Sequence, residues 1–302
     1  MRQTQSWFFK KSPDGGSFRF LNNILLLKFD SKIRSRSQRD NILLSLWPMK
    51  LTPDVSPVEV GQGTVRPEGQ TWQLRIPPVT TGYHNAQLDD YRTRRRREYR
   101  HRPGTRLALS ARFSAAAADL VGTAGFGFWN AALGDRDQPI PTLPQAVWFF
   151  FAAPPNDLPF GPWSLVSATG RGWFAATLDA GTPRALAWAP LAPLVLLLNQ
   201  SPAIRTRLWP VVRRALGIRA EPIPFSLTDW HDYRLEWRRN SCCFWVDGRL
   251  ILHTPVSPRG PLGFVCWIDN QYMVATPTGR VAWGTTPTTR PQALTIRDFR
   301  LE

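Results

Sequence analysis

The feature that most constrains this chain is its rhythm from about residue 70 onward: short runs of aromatic, aliphatic and β-branched side chains, repeatedly broken by Gly or Pro. Runs of this length with this punctuation are strands, and their spacing is that of an all-β sandwich or barrel. Eleven candidate strands follow, at 72–76, 83–91, 106–113, 122–130, 145–152, 172–179, 233–237, 242–252, 262–268, 280–283 and 294–301. In 106–113, Leu107, Leu109, Ala111 and Phe113 alternate with Arg106, Ala108, Ser110 and Arg112, which gives one apolar face and one polar face. No internal repeat with a period of about 20 to 50 residues is visible, which argues against a propeller or solenoid. One stretch breaks the rhythm. Residues 184–220 read as two short helices, the second carrying Ile204, Leu208, Val211, Val212 and Leu216 at helical spacing with arginines between them. As an insertion between strands it would pack that stripe on the sandwich; a basic amphipathic helix can also lie on a membrane surface.

Residue usage divides the chain. All five lysines (Lys10, Lys11, Lys28, Lys32, Lys50) fall in the first 50 residues, and the 28 basic residues beyond are all Arg. Residues 1–48 show only brief apolar patches without a sustained period, so they are expected to be a disordered extension or a mis-assigned start, with Met49 as the first true residue. The sandwich is expected over 60–302, with 184–220 as its helical insertion.

The formal net charge of +16 invites a nucleic-acid reading, but its distribution is local. Seven arginines lie between residues 92 and 102, Arg92 the first and Arg102 the last, with Glu98 the one acid among them. Neither an RNA-recognition stacking pattern nor a zinc-finger spacing accompanies this run. It reads as a solvated loop or as a contact for an anionic partner. Three cysteines, Cys242, Cys243 and Cys266, give neither a disulfide framework nor a C-x-x-C spacing. No apolar run reaches the roughly 18 residues of a membrane span, and the start lacks a secretory pattern. A reduced, cytoplasmic protein is the resulting expectation.

The most specific signal is the segment 229–253, DWHDYRLEWRRNSCCFWVDGRLILH: two strands joined by a tight turn at Arg239, Asn240 and Ser241, the second ending in Val246-Asp247-Gly248. It resembles the W-H-x-Y-x-x-E-W … F-x-V-D-G hairpin of the concanavalin A-like lectin and glucanase superfamily, in particular glycoside hydrolase family 16. Trp230, His231, Tyr233, Glu236, Trp237, Phe244, Val246, Asp247 and Gly248 carry the match. Residues 294–301 look like the closing strand of such jelly rolls, and 106–130 like their paired cleft strands. The resemblance implies an all-β concanavalin A-like jelly-roll sandwich with a short inserted helical hairpin. It also implies E-x-D-x-x-E on one strand, the carboxylates of a retaining hydrolase. Here the matching strand is PQAVWFFF, 144–151, and none of the six glutamates lies between residues 99 and 220. The family's hydrolysis is therefore not carried over with its fold.

Other polar groups suit a sugar. Strand alternation in 83–91 places Tyr83, Asn85, Gln87, Asp89 and Tyr91 on one face. Trp267, Asp269 and Gln271 form a second set. Amides, carboxylates and rings match sugar hydroxyls and the apolar patches of pyranoses, though the same groups can instead form an internal hydrogen-bonded network. The ligand-binding candidates are Tyr83, Asn85, Gln87, Tyr91, Trp267 and Gln271. Asp89 and Asp269 are the candidate catalytic pair, should they meet across a cleft. Asp135 and Asp137 have an i, i+2 spacing but sit among turn residues. His84, His101, His231 and His253 are scattered, serines lack a G-x-S-x-G elbow, and Gly122, Gly125 and Gly127 precede no helix. No metal or cofactor is expected. Trp129, Trp148, Phe149, Phe150 and Phe151 read as filling for the sandwich.

Overall fold

The computed structural model describes residues 55–132, 140–159 and 170–302. The expectations for 1–48, and Asp135 and Asp137, lie outside the described residues.

The described chain runs through β1 (Ser56–Val60), β2 (Thr64–Glu68), β3 (Thr71–Ile76), β4 (Asn85–Asp89), β5 (Arg106–Phe113), β6 (Thr123–Trp129), β7 (Gln145–Ala152) and β8 (Gly172–Asp179). Helices α1 (Pro183–Trp188), α2 (Ala192–Leu198) and α3 (Pro202–Ala215) follow, then β9 (Arg219–Pro222), β10 (His231–Arg238), β11 (Ser241–Val246) and β12 (Arg249–Thr254). The last strands are β13 (Gly263–Asp269), β14 (Gln271–Ala275), β15 (Val281–Thr285) and β16 (Gln292–Leu301). They form two seven-stranded antiparallel sheets and one two-stranded ribbon. The first sheet has the order β1-β4-β13-β6-β7-β8-β9, the second β12-β11-β10-β5-β16-β3-β2, and the ribbon pairs β14 with β15. This is the all-β jelly-roll sandwich that the sequence predicts.

Alternation builds the core. Leu107, Leu109, Ala111 and Phe113 of β5 turn inward from the second sheet, and Phe126, Phe128, Val147, Phe149 and Phe151 turn inward from the first. Phe149 meets Phe126, Tyr233 and Phe244 at ring-centroid distances of 5.3, 5.0 and 5.3 Å. Tilted and edge-on arrangements of this kind contribute beyond the area they bury. The hairpin that carries the family resemblance is structural: Trp237 is fully buried and donates from Nε1 to the Pro258 carbonyl at 3.0 Å, and Asp247 accepts from the Asp232 amide at 2.8 Å.

Four details correct the sequence reading. The single run expected at 242–252 is two strands, because Asp247 and Gly248 have φ of 49° and 76° and make a two-residue hairpin turn. Strands β1, β2, β9 and β14 were not anticipated; β1, β2 and β9 are sheet edges, and they carry Pro57, Pro67 and Pro222. Proline donates no ladder hydrogen bond and is tolerated at edges, so these strands have the composition of loops. The insertion holds three α-helices, not two. Finally, the α3 stripe is not buried as a stripe: Ile204 and Val211 remain 40% and 43% exposed, while Val212, Arg213 and Ala215 are covered.

Candidate functional site

The outer face of the first sheet gathers the sequence-derived candidates. On β4, Ala86 and Leu88 enter the core, so Asn85, Gln87 and Asp89 face outward. On β13, Phe264, Cys266 and Ile268 enter the core, so Val265, Trp267 and Asp269 face outward. The two strands are neighbours, and their register sets Gln87 opposite Trp267 and Asn85 opposite Asp269. The two polar sets, more than 170 residues apart in sequence, thus share one surface.

Aromatic residues read from sequence as sandwich filling complete this face. Phe149 and Phe151 do fill the sandwich, but Trp129, Trp148 and Phe150 point the other way and join a second cluster with Tyr91, Tyr99 and Trp267. The Trp148 ring stacks on Phe150 at 5.1 Å and lies 6.1 Å from Trp129 and 5.5 Å from Trp267. Two glycines on the intervening strand make the room. A Cβ on Gly125 would stand 3.0 Å from Trp267 Cη2 and 2.2 Å from the Phe149 oxygen, and one on Gly127 would stand 2.6 Å from Trp148 Cβ. The period-2 alternation of 145–152 was the available signal for Trp148 and Phe150.

Hydrogen bonds knit the polar groups together. Gln87 donates from Nε2 to Asp89 Oδ2 at 2.6 Å and to the Tyr91 hydroxyl at 3.4 Å, and Trp129 donates to the same hydroxyl at 2.8 Å. Asp89 Oδ1 also accepts from the Arg92 amide at 3.2 Å. Asp269 Oδ1 accepts from the Thr123 amide and hydroxyl at 3.0 and 2.8 Å and from the Gln271 amide at 3.1 Å. The Tyr83 hydroxyl beside Asp269 favours its charged form as well. Trp267 donates to the Thr123 hydroxyl at 3.0 Å. Burial dominates both carboxyls: it raises the pKa of Asp89, and it pushes Asp269 up to about 7 against the hydrogen bonds that favour its charged form.

Exposure divides the candidates. Asn85, Asp89, Tyr91, Trp267 and Asp269 are buried, whereas Tyr83, Gln87 and Gln271 are half-buried, as are Thr123, Trp129, Trp148 and Tyr272. The two carboxylates of the expected pair stand on neighbouring strands, out of register with each other. Asp89 stands opposite Val265 and Asp269 opposite Asn85. Four strand positions place their backbones roughly 13 Å apart along the sheet. Both groups serve instead as acceptors inside the network. Two buried atoms on the face have no hydrogen-bond partner: Trp148 Nε1, a donor, and Asn85 Oδ1, an acceptor.

The arginine run is largely engaged within the protein. Arg92 Nε lies 3.7 Å from Asp89 Oδ2, and Arg94 donates to the Asp90 carbonyl at 3.2 Å. Arg96 donates to the carbonyls of Asn130 and Ala131 at 2.9 and 2.6 Å and to that of Ile140. On the opposite side of the molecule a shallow groove of about 390 Å³ crosses the second sheet beside Ser110, Asp232, Arg234 and Trp245. Ser110 donates to Asp232 at 2.6 Å there, and the Arg234 guanidinium sits 4.2 Å over the Trp245 ring. Among the described residues no group of three His, Cys, Asp or Glu side chains is placed to hold a metal ion.

No family model matches the chain, and no curated protein matches it. Solved structures do. A GlcNAcα1-4Gal-releasing endo-β-galactosidase from Clostridium perfringens is 13% identical with a TM-score of 0.41, over 81% of this chain and 58% of that one. The carbohydrate recognition domain of Emp47p is 10% identical with a TM-score of 0.43, over 84% of this chain and 90% of that one. A Bacillus licheniformis β-glucanase is 9% identical with a TM-score of 0.41, over 83% and 92%. The chain thus spans little more than half the length of the endo-β-galactosidase.

Proposed function

We propose that this protein binds carbohydrate on the half-buried rim of the first sheet's outer face, and binds it without hydrolysis. The carrying observation is the convergence on one surface of the half-buried Gln87, Tyr83 and Gln271 with the Trp129 and Trp148 rings. Carboxamides offer donors and acceptors to hydroxyls, and indole faces take the apolar side of a pyranose. Binding without turnover fits the chemistry of β7, whose outward positions carry Trp148, Phe150 and Ala152 and no carboxylate. It fits equally the hydrogen bonds that hold Asp89 and Asp269 as structural acceptors. The three thiols, all unpaired, suit a reducing compartment such as the cytoplasm.

A glycan array followed by affinity gel electrophoresis tests the reading with wild type, Gln87→Ala and Trp148→Phe. The Phe variant keeps one aromatic ring but shortens the stacking face that the indole offers. Retention of a defined glycan by wild type, weakened in both variants with no product released, supports the proposal. Absence of retention on every glycan, or equal retention by all three proteins, would refute it.

A further inference from the structure

The helical insertion exposes an apolar surface that nothing in the carbohydrate reading uses. From residue 185 to residue 198 the sequence is ALAWAPLAPLVLLL, fourteen residues without one polar side chain. A run of this kind inside a soluble domain is ordinarily its most covered part. Here only Ala185 and Val195 are buried, while Leu186, Leu191, Leu194 and Leu197 stand 52%, 47%, 51% and 68% exposed. The surface continues beyond α1 and α2. Asn199 donates to the Pro277 carbonyl at 3.0 Å and Gln200 to that of Thr278 at 2.9 Å, which ties the insertion to the turn of the β14–β15 ribbon. That ribbon exposes Val281 and Trp283 at 58% and 47%.

Charge identifies the occupant. Between Asp179 and Glu221 the chain has six arginines (Arg184, Arg205, Arg207, Arg213, Arg214 and Arg219) and no acid at all. We propose that the insertion seats on the surface of an anionic phospholipid bilayer, with its leucines in the acyl boundary and its exposed arginines among the headgroups. A leucine-rich segment whose charged side chains are all arginine has the composition of an interfacial anchor, and anionic headgroups complement it in sign. The segment lies on the membrane and does not cross it: α1 and α2 have six and seven residues, Pro190 and Pro193 interrupt the run, and a span needs about 20. A second copy of the chain is disfavoured by the same charge, since a two-fold contact would set these arginines against their own equivalents. The first 50 residues, with ten basic and three acidic side chains, likewise repeat the sign of the surface and do not complement it.

Vesicle sedimentation provides the test, independent of glycan binding. Full-length wild type is expected to pellet with phosphatidylcholine vesicles containing about 30% phosphatidylserine, to remain in solution with phosphatidylcholine alone, and to be released by high salt. The double variant Leu194→Asp/Leu197→Asp alters exposed side chains, so it folds as wild type by circular dichroism, and its vesicle affinity falls at least about tenfold. Leu250→Asp, at an exposed leucine on β12 outside the insertion, leaves binding unchanged. Wild type that stays in solution with the anionic vesicles, or a double variant that pellets as wild type does, overturns the proposal. A wild-type dimer in analytical ultracentrifugation that the double variant turns into a monomer overturns it in favour of a second copy.

Discussion

Replacing Asp269 by Asn isolates one buried charge whose environment is fully specified. Its carboxyl is 5% exposed, accepts three hydrogen bonds at Oδ1, and has its pKa pushed up by burial to about 7. The unfolded chain titrates this group near 3.9. Between the two values the folded protein holds a proton that the unfolded chain has released, so the contribution to stability is fully present below about pH 4 and is lost as pH rises through 7. With these two values the loss between about pH 5 and about pH 8 is on the order of 2.5 kcal/mol. Asparagine keeps the Oδ1 acceptor, presents an amide donor at the Tyr83 side and cannot ionise, so the slope disappears. Urea denaturation of both proteins at the two pH values gives the double difference. Asp89, also raised by burial, titrates in both and cancels. The expected outcome is a variant that gains on wild type by about 2.5 kcal/mol on going from the acid to the alkaline condition. Parallel stabilities at both pH values would show that Asp269 is charged throughout and that the description of its surroundings as dry is wrong.

Two further outcomes follow from packing. Arg96→Gln removes guanidinium bonds to three carbonyls and should lower stability in urea unfolding by about 2 to 3 kcal/mol, whereas Arg97→Gln, at a 73% exposed side chain, should change it by less than about 0.5 kcal/mol. Equal effects would reject the structural role of Arg96. Burial pushes the Cys242 thiol up to about 12 and raises that of Cys266, so both should resist an alkylating reagent at neutral pH until denaturant is added; rapid labelling of either in the native protein would contradict their placement.

What could be read from sequence was what a strand declares by itself. The stretches 106–113, 145–152 and 172–179 have the observed bounds of β5, β7 and β8, because interior strands buried on at least one face must alternate or run apolar. Strands β1, β2 and β9 declare nothing of the kind: each is short, carries a proline and is recruited by its neighbour's backbone. The outward face of β4 was legible for the same local reason. Its surroundings were not, because β4, β13, β6 and β7 lie side by side in an order set by topology. Only that order brings Trp148 to Trp267 and supplies Asp269 with the Thr123 hydroxyl. The α3 stripe shows the limit of periodicity, since spacing predicts that a helix has an apolar side and not that the side is covered.

The prolines at β1, β2 and β9 have a consequence for how this protein behaves when crowded. A sheet grows by offering unsatisfied amides along its rim, and three of the four rims of the two seven-stranded sheets are interrupted by a residue that has none to offer. The remaining rim is β12, RLILHT, with Arg249 at one end and His253 near the other. Of the rims of the two large sheets it is the one whose run of amides no proline interrupts, and Arg249 places a fixed charge at its end, which sets like charge against like when two such rims meet.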